Sequence, residues 1–332
     1  MVFSSINIGF IIDPIHNIKP KKDSSLAIMR AAHAVGAHIY CMEQGDLFIK
    51  DGISYAKTTE ICVSDDDQNW YQIKECTTQP MSNLDVVFMR KDPPVDKRFI
   101  HTTYVLDQAQ QEGVFVVNPP RSLREFNEKI FATAFPDVIP PYLIGTDQQA
   151  FEDFLNHHQK IIMKPLDGMG GQGVFLVDKA DVNFGVIWEM LTEQGCYPII
   201  AQTFIPNIVQ GDKRILIIDG EPFAQMLVRL PKDGTIRGNL AVSGDFDVRP
   251  LGAKDLEIAQ KVGEKLKQEN ILLAGIDIIG EYLTEVNITS PTGFCEIANV
   301  SGQNPASVLI NKVLGYQTQM AENHKNLMNL SA

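Results

Sequence analysis

The sequence lacks long hydrophobic runs and any regular cysteine pattern. No stretch approaches the 18 consecutive apolar residues that identify a membrane-spanning helix. The five cysteines are odd in number, widely spaced and without a CxxC pair, which favours reduced thiols over disulfides or a zinc site. The N-terminal segment has no charged region before its short apolar run, so a secretory signal is not expected. These absences predict a cytoplasmic protein with no membrane partner.

Positive charge is also scarce. The chain has 332 residues and carries 29 Lys and Arg against 41 Asp and Glu, for a net charge of −12. Because nucleic acids are bound through clustered Lys and Arg, we expect no nucleic-acid partner, and any phosphate that the protein handles should be bound locally. No GK[ST] or GxSxG motif occurs, which excludes a Walker A loop and a serine-hydrolase elbow.

Strands alternate with helices over roughly the first 120 residues. This order predicts an α/β fold with a doubly wound, Rossmann-like parallel sheet, in which ligands lie at the carboxyl ends of the strands. Asp13 and Arg90 fall at such ends. Residues 65–80 are polar and irregular and are predicted to form a loop. Ser122 and Glu125 predict a capping box for a short helix that carries Lys129.

A glycine-rich stretch, KPLDGMGGQG at residues 164–173, lies between two short apolar runs. Glycines let backbone N–H groups approach an anion closely, and Lys164 would add a positive charge for phosphates. The stretch matches GxGxxG, but a strand rather than a helix follows, so a Rossmann dinucleotide loop is excluded. No kinase HRD or DFG motif follows either. A phosphate loop between two strands is the functional interpretation, and a flexible surface hairpin is the alternative.

Three oxygen-bearing residues near the C-terminus favour a metal site. Glu285 and Asn287 are two apart on a predicted strand and so point to one face. If residues 280–282 form the turn, Asp277 lies directly across from Glu285. Two carboxylates and an amide form a hard-oxygen set that suits Mg²⁺ together with substrate phosphates. A solvated hairpin face would give the same pattern.

Arginines cluster between these two motifs, at Arg214, Arg229 and Arg237. In an acidic protein this favours docking of an anionic substrate, because guanidinium groups match carboxylate and phosphate geometry. Ordinary surface arginines are the alternative. Residues 231–248 are rich in Gly and Asp with little periodicity, which predicts a lid or a disordered loop.

Taken together, several motifs of this chain resemble those of the bacterial type of glutathione synthetase, an ATP-grasp ligase, over nearly the whole length. They are DPI (13–15), KKDSS (21–25), MRKDPP (89–94), NEK (127–129), KPLDGMGG (164–171), GDKR (211–214), RGNLA (237–241), GIDIIG (275–280) and LTEVNITSPTG (283–293). One departure is Cys295, where the family usually has Arg or Gln; the following Glu296 is kept.

The resemblance implies an ATP-grasp fold after the doubly wound domain. It implies a pre-ATP-grasp domain at 1–126, an ATP-grasp domain at 127–315 and a polar tail at 316–332. The ATP-grasp domain would divide into a lid subdomain at about 127–201 and a C-terminal subdomain at about 202–315. The family resemblance also suggests a homotetramer.

The implied reaction joins γ-glutamylcysteine to glycine at the expense of ATP, through an acyl phosphate, and gives glutathione, ADP and phosphate. The cofactor would be Mg²⁺, with Mn²⁺ as a substitute. Another small amine could replace glycine as acceptor. The alternatives are another ATP-grasp carboxylate–amine ligase, such as a D-alanine–D-alanine or glutamate-adding enzyme, and a nucleotide-binding sensor that has lost turnover.

The same resemblance implies roles for individual residues. The catalytic residues would be Arg214, Arg229 and Asn239. The ATP-binding residues would be Lys129, Lys164, Gly168, Met169, Gly170, Gly171, Gln202, Phe204 and Asp212. The metal ligands would be Asp277, Glu285 and Asn287. The substrate-binding residues would be Asp13, Arg90, Arg214, Arg237 and Ser290.

Overall fold

The computed structural model of the chain describes residues 6–168, 170–231 and 245–330, with backbone alone beyond residue 319. The strands are β1 Asn7–Ile11, β2 His38–Met42, β3 Leu47–Lys50, β4 Ile53–Val63, β5 Tyr71–Pro80, β6 Val86–Met89, β7 Phe115–Val117, β8 Tyr142–Gly145, β9 Lys160–Pro165, β10 Phe175–Asp178, β11 Ile199–Thr203, β12 Asp212–Ile218, β13 Glu221–Arg229, β14 Phe246–Pro250, β15 Leu273–Ile279 and β16 Tyr282–Asn287. The helices are α1 Ser24–Ala34, α2 Lys97–Gln111, α3 Pro120–Glu125, α4 Gln148–His158, α5 Phe184–Thr192, α6 Ala253–Gln268, α7 Phe294–Ser301 and α8 Pro305–Leu330.

The first sheet is built around four parallel strands in the order β2-β1-β6-β7. Alternate residues of β1 face opposite sides: Ile8 packs with α1, whereas Ile11 packs with α2. Asp23 caps α1 by accepting a hydrogen bond from Leu26 N at 2.8 Å. Helices on both faces of a parallel core confirm the predicted doubly wound α/β fold.

The predicted loop at 65–80 is wrong for most of its length. Residues Tyr71–Pro80 form β5, which pairs antiparallel with β4 from Tyr71 opposite Val63 to Pro80 opposite Tyr55. Most residues of β5 are exposed, so neither face carries the apolar alternation by which a strand is recognised in a sequence. Together with β3, these strands extend the parallel core as an antiparallel hairpin edge.

Two further sheets follow in the chain. The second sheet has the order β10-β9-β11-β8, is antiparallel throughout, and packs α4 and α5 over its core. The third has the order β14-β13-β12-β15-β16 and is also antiparallel. Helix α6 covers one face of the third sheet, and α7 and α8 cover the other. Lys164 lies on β9 of the second sheet, and Arg214, Asp277 and Glu285 lie on β12, β15 and β16 of the third.

The side chain of Asn118, at the end of β7, connects the first sheet to the third sheet by hydrogen bonds. Its side-chain NH₂ donates to Leu273 O at 2.7 Å and Ile288 O at 2.6 Å. Its side-chain oxygen accepts from the backbone N–H groups of Leu272 and Leu273, both at 3.0 Å. A buried amide with four hydrogen bonds fixes the position of β7 relative to β15, and this places the first sheet beside the cleft.

Lys129 does not lie on a helix, contrary to the prediction. Pro120 begins α3 and Glu125 ends it, so Ser122 is inside the helix rather than at its cap. Lys129 follows in a turn, and Glu128 O accepts from Val286 N at 2.8 Å, which holds this turn against β16. The backbone rather than a helix face therefore positions Lys129.

The C-terminal half differs from the sequence prediction at one point. Residues Phe246–Pro250 form β14, so the last part of the predicted lid at 231–248 is a strand, while 232–244 lie outside the described residues. The predicted boundary between 315 and 316 falls within α8. No helix within the described ranges is long and apolar enough to cross a membrane.

Candidate active site

A cleft of about 470 Å³ lies between the second and third sheets. It is closed on one side by the turn that follows α3 and on another by the glycine-rich loop. Fourteen of the predicted site residues line it: Lys129, Lys164, Gly168, Gly170, Gly171, Gln202, Phe204, Asp212, Arg214, Arg229, Asp277, Glu285, Asn287 and Ser290. Residues from six strands and from the segments between them therefore converge on one cavity.

Two lysines meet two glutamates at the boundary between the sheets; we call these four residues, Glu128, Lys129, Lys164 and Glu285, the lysine–glutamate cluster. Lys164 Nζ lies 3.1 Å from Glu285 Oε1, which joins β9 to β16. Lys129 Nζ donates to Glu128 Oε1 at 2.5 Å and to Gly168 O at 2.8 Å. Both lysine residues are buried, at 2% and 7% exposure, so their charges are held close to the cleft.

The cluster changes the protonation of its members. Burial opposes the charged form of Lys129, but the nearby Glu285 and Glu128 carboxylates outweigh burial and raise its pKa. Burial raises the pKa of Glu128, and the charge of Glu285 raises it further. For Glu285, Lys164 and Lys129 outweigh burial and lower the pKa. Lys129 and Glu285 are therefore charged at neutral pH, and the lysines remain able to meet an anion.

A second group of charges, the arginine–aspartate cluster, consists of Asp212, Arg214, Arg229 and Asp277. Arg214 grips Asp277 with two hydrogen bonds, Nε to Oδ1 at 2.5 Å and Nη2 to Oδ2 at 2.8 Å. Arg229 Nη2 contacts Asp212 Oδ2 at 2.5 Å and Asp277 Oδ1 at 2.9 Å. The strand register explains the proximity, because Arg214 pairs with Asp277, and Asp212 with Arg229. The sequence had indicated the two arginines but not these partners.

The two aspartates of this cluster differ in protonation. For Asp277, the charges of Arg214 and Arg229 overcome the effect of burial and hold the pKa well below its usual range. For Asp212, burial is the larger effect and raises the pKa to about 7, although Arg229 opposes it. Asp212 Oδ1 is buried without a hydrogen-bond partner among the described residues. That oxygen remains available to a polar group of a ligand.

The predicted metal ligands stand together on β15 and β16. Asp277 is directly opposite Glu285, and Gly275 is opposite Asn287, as the predicted turn requires. Mg²⁺ is typically held by one or two protein carboxylates, with substrate phosphates and waters completing the shell. Two carboxylates and an amide fit that description, although Asp277 is also engaged by both arginines. Within the described ranges no three or more His, Cys, Asp and Glu side chains gather as a metal cluster.

The glycine-rich loop connects β9 and β10, which pair antiparallel as expected for a loop between two strands. Gly170 and Gly171 adopt φ of +63° and +76°, a region that residues with a Cβ rarely enter. Two carbonyl groups of the glycine-rich loop bind Lys129: Gly168 O accepts from Lys129 Nζ at 2.8 Å and Leu166 O at 3.3 Å. The loop is thereby tied to the turn on the opposite side of the cleft.

The far end of the cleft is apolar and lies beside the end of β11. Ile162, Ile205 and Ile208 line it together with Gln202 and Phe204. Gln202 is 4% exposed, and its Nε2 has no partner among the described residues. An apolar slot with an unpaired amide donor suits a flat heteroaromatic ring.

Asp13 and Arg90 do not line the main cleft. They line a neighbouring cavity of about 260 Å³ at the carboxyl ends of β1 and β6, and Asp92 lines both cavities. Ser290 connects the two regions, because its Oγ donates to Arg90 O at 3.2 Å. The predicted residues Met169, Arg237 and Asn239 lie outside the described residues.

Lys22, Glu128 and Glu296 are among the charged residues that line the cleft and that sequence reasoning missed. Lys22 and Glu128 lie within the motifs KKDSS and NEK, in which only Lys129 was assigned a role. Burial raises the pKa of Glu296, and its Oε2 has no partner among the described residues. No spacing in the sequence distinguishes these residues from surface charges, since they come from three separate segments.

Comparisons with known proteins match this architecture. Residues 6–124 match the profile of the prokaryotic glutathione synthetase N-terminal domain, and residues 128–302 match that of its ATP-grasp domain. The chain is 45% identical over 308 residues to the glutathione synthetase of Nitrosomonas europaea, covering 92% of this chain and 96% of that protein. It is 45% identical over 293 residues to that of Pseudomonas aeruginosa, covering 88% and 92%.

Solved structures agree in fold at low sequence identity. D-cycloserine synthetase superposes with a TM-score of 0.66 at 12% identity, covering 94% of this chain and 99% of that one. The ATP-grasp ligase PsnB, in complex with a phosphomimetic variant of its minimal precursor, Mg and ADP, gives a TM-score of 0.60 at 15% identity, covering 95% and 99%. These two likenesses show the fold alone.

The fold and the cleft define an ATP-grasp enzyme, which uses ATP and small-molecule substrates to form a carbon–nitrogen bond. The chain belongs to the prokaryotic glutathione synthetase family, because the two domain profiles cover most of its length and relatives are about 45% identical over most of the chain. The family resemblance seen in the sequence motifs is thereby confirmed.

Proposed function

We propose that this chain joins γ-glutamylcysteine to glycine with ATP, giving glutathione, ADP and phosphate. The γ-phosphoryl group passes from ATP to the cysteinyl carboxylate, and the glycine amine then attacks the resulting acyl phosphate and expels phosphate. The supporting observation is the lysine–glutamate cluster: two buried lysines from different segments, Lys129 and Lys164, lie at one cleft, where Lys129 pairs with Glu128 and Lys164 with Glu285. Phosphoryl transfer depends mainly on such positioning and charge neutralisation.

The nucleotide binds between the second and third sheets. Its phosphates contact Lys129 and Lys164, and the loop glycines Gly168, Gly170 and Gly171 cover them. The adenine occupies the apolar slot at Gln202 and Phe204. Met169 is assigned to ATP binding on the resemblance alone. Phe204 N donates to Lys160 O at 3.1 Å, which attaches this segment to the start of β9. Asp212 Oδ1, buried and unpaired among the described residues, is the polar neighbour of the nucleotide.

The donor carboxylate and acyl phosphate lie at the arginine–aspartate cluster. Arg214 and Arg229 stabilise the negative charge that grows on the transferred phosphoryl group, and Asp277 keeps both guanidinium groups in place. Ser290 contacts the dipeptide, and we assign Arg237 and Asn239 to the same substrate on the resemblance alone. The glycine ammonium must lose one proton before the amine attacks the acyl phosphate.

Mg²⁺ is the proposed cofactor, with Mn²⁺ as a substitute, and Glu285, Asp277 and Asn287 are the side chains that hold it. When bound, the ion neutralises phosphate charge beside the lysines. The donor chemistry supports this assignment, because all three side chains offer oxygen ligands on one face of β15 and β16.

Further assignments belong to the same proposal. We place the domain boundary near residue 126, supported by the two profiles, which meet between 124 and 128. The lid and C-terminal subdomains divide near residue 201, and 316–332 form a terminal segment. We also propose a cytoplasmic homotetramer without nucleic-acid or membrane partners, which suits the net charge of −12.

The test is ADP release from the purified protein with Mg²⁺ and ATP, with γ-glutamylcysteine and glycine added separately and then together. We expect release to require both substrates and to equal the glutathione formed. Release without glutathione, or with a different donor and acceptor pair, would assign the chain to another carboxylate–amine ligase. ATP binding without release under any of these conditions would assign it to a nucleotide sensor.

A further inference from the structure

Asn127 connects the turn that carries Lys129 to the base of the glycine-rich loop. Its side-chain oxygen accepts hydrogen bonds from the backbone N–H groups of Lys129 at 3.0 Å and Ile130 at 3.2 Å, and these bonds shape the turn. Its Nδ2 donates to Leu166 O at 3.1 Å, immediately after the end of β9. The side chain is half-buried and does not line the main cleft. One neutral amide therefore joins two segments that border the cleft.

The carbonyl oxygen of Leu166 is shared between two donors. Lys129 Nζ donates to the same oxygen at 3.3 Å and to Gly168 O at 2.8 Å. Among the described residues, the hydrogen bonds between the turn at 127–130 and residues 166–168 come from the side chains of Asn127 and Lys129, and no backbone pairing joins the two segments. The connection therefore depends on one ammonium group, which phosphates attract strongly, and on one neutral amide.

Both segments are attached to strands of the site. A Cβ on Gly168 would lie 2.7 Å from Pro165 Cγ, so the loop packs closely against the end of β9. On the other side, Glu128 O accepts from Val286 N at 2.8 Å, which joins the turn to β16. A hydrogen bond at the base of the loop therefore helps to set the distance between the loop and the strand that carries the proposed metal ligands.

ATP would compete for the ammonium group of Lys129. In the structure this Nζ contacts Glu128 and the two loop carbonyls, and the proposed function requires it to bind phosphate oxygens. When it does so, the loop carbonyls lose their charged donor, and Asn127 Nδ2 is the described donor that remains on Leu166 O. Phosphoryl transfer depends on the alignment of charged groups with the phosphates, so this remaining bond acts during the chemical step.

We propose that Asn127 is a positioning residue for phosphoryl transfer. It keeps the glycine-rich loop beside the turn while Lys129 exchanges loop carbonyls for phosphate oxygens, and it does so from outside the cleft. The inference rests on the proposed function and adds to it a residue that does not contact ATP. Without the Asn127 amide, Lys129 and the loop lose their alignment in the transition state, whereas both lysines of the cluster still bind ATP in the ground state.

Asn127→Ser and Asn127→Asp test the proposal, because each keeps an oxygen acceptor for the turn and removes the donor to Leu166 O. Serine adds no charge, and aspartate keeps the shape. We expect kcat for glutathione synthesis to fall about tenfold in both variants, as for the loss of one hydrogen bond, and the KM of ATP to stay within about threefold. An unchanged kcat, or a raised KM of ATP with kcat kept, would overturn the proposal.

Asn304→Ser is the matched control. The Asn304 side-chain oxygen also accepts from two backbone N–H groups, those of Ala306 at 2.9 Å and Ser307 at 3.3 Å. Asn304 is exposed and lines neither cavity, so the control should leave kcat and every KM unchanged.

A double variant separates positioning from a general structural role. If Asn127 acts through Lys129, adding Asn127→Ser to Lys129→Gln should lower kcat by at most about threefold more. An undiminished effect of Asn127→Ser in the Lys129→Gln protein would mean that Asn127 acts independently of Lys129, and would overturn the proposal.

Amide hydrogen exchange gives a readout besides activity. With the non-hydrolysable analogue AMP-PNP bound, we expect peptides that cover residues 164–173 to exchange about tenfold faster in Asn127→Ser than in the unmodified protein. Equal exchange rates in the two proteins would overturn the proposal.

The possible failures can be told apart. If circular dichroism shows that Asn127→Ser does not fold, Asn127→Asp decides, and failure of both variants to fold would mean a structural role and would overturn the proposal. If the unmodified protein makes no glutathione, the proposed function fails, and hydrogen exchange still tests the connection between loop and turn. Glutathione synthesis with an equal kcat in all variants rejects the role of Asn127 alone.

Discussion

The two charged clusters of the cleft have the same number of acidic and basic residues but are built differently. The arginine–aspartate cluster is assembled within one sheet, where Arg214 lies opposite Asp277 and Asp212 lies opposite Arg229 on neighbouring strands. The lysine–glutamate cluster joins residues from two sheets, with Lys164 on β9 and Glu285 on β16, and adds a turn that carries Lys129. The first is therefore fixed by backbone pairing, and the second by packing between elements distant in sequence.

This difference indicates separate tasks. In the arginine–aspartate cluster, guanidinium groups already form ion pairs with carboxylates inside a buried sheet. This pairing contributes to the stability of the fold as well as to the shape of the cleft. Lysines paired with single carboxylates across a boundary between sheets can exchange those contacts for phosphate oxygens. We therefore expect substitutions in the first cluster to affect stability most, and substitutions in the second to affect turnover most.

The largest effect should follow Asp277→Ala. This change leaves the buried Arg214 and Arg229 without their shared carboxylate, so we expect the free energy of unfolding to fall by about 3–5 kcal/mol. Urea unfolding followed by circular dichroism measures it. The matched control is Asp137→Ala, which breaks an exposed pair with Lys261 and should leave the unfolding midpoint unchanged. Small and equal shifts of the unfolding midpoint in both variants would contradict a stabilising role for the arginine–aspartate cluster.

Lys164→Gln should lower turnover strongly while the fold is kept. Removing one charge that faces the transferred phosphoryl group is expected to reduce kcat roughly 10²- to 10³-fold. Lys160→Gln is the control, because Lys160 lies on the same strand, is exposed, and pairs with Asp178 away from the cleft. Coupled ADP-release assays and thermal unfolding are measured for both. A kcat for Lys164→Gln close to that of Lys160→Gln would show that Lys164 has no role in phosphoryl transfer.

Glu285→Gln tests the metal assignment with the smallest change in shape. We expect activity to fall about 10- to 100-fold and to recover in part at higher Mg²⁺ concentration, because one charged ligand is replaced by a neutral one. Glu281→Gln, in the exposed turn between β15 and β16, should behave like the unmodified protein. Near-normal activity of Glu285→Gln at low Mg²⁺ would contradict Glu285 as a ligand and would mean that other residues bind the ion.

Local patterns in the sequence predicted most of the elements. The hairpin between β15 and β16 and the glycine loop between two strands were both expected and are present. β5 was missed because its side chains are exposed on both faces, so no periodicity marks it. Glu128 was missed because its importance comes from contacts with Lys129 and β16, and neither contact leaves a pattern in the sequence.

By itself the sequence determined the family, the α/β class and the oxygen-rich pair on β15 and β16, because motif order and the two-residue period of a strand are local properties. Only the tertiary structure decided which charges meet. Arg214 pairs with Asp277 across 63 residues of chain, Lys164 pairs with Glu285 across 121, and Arg90 contacts Pro291 across 201. Such contacts depend on strand order and on packing between sheets, which no short stretch of sequence encodes.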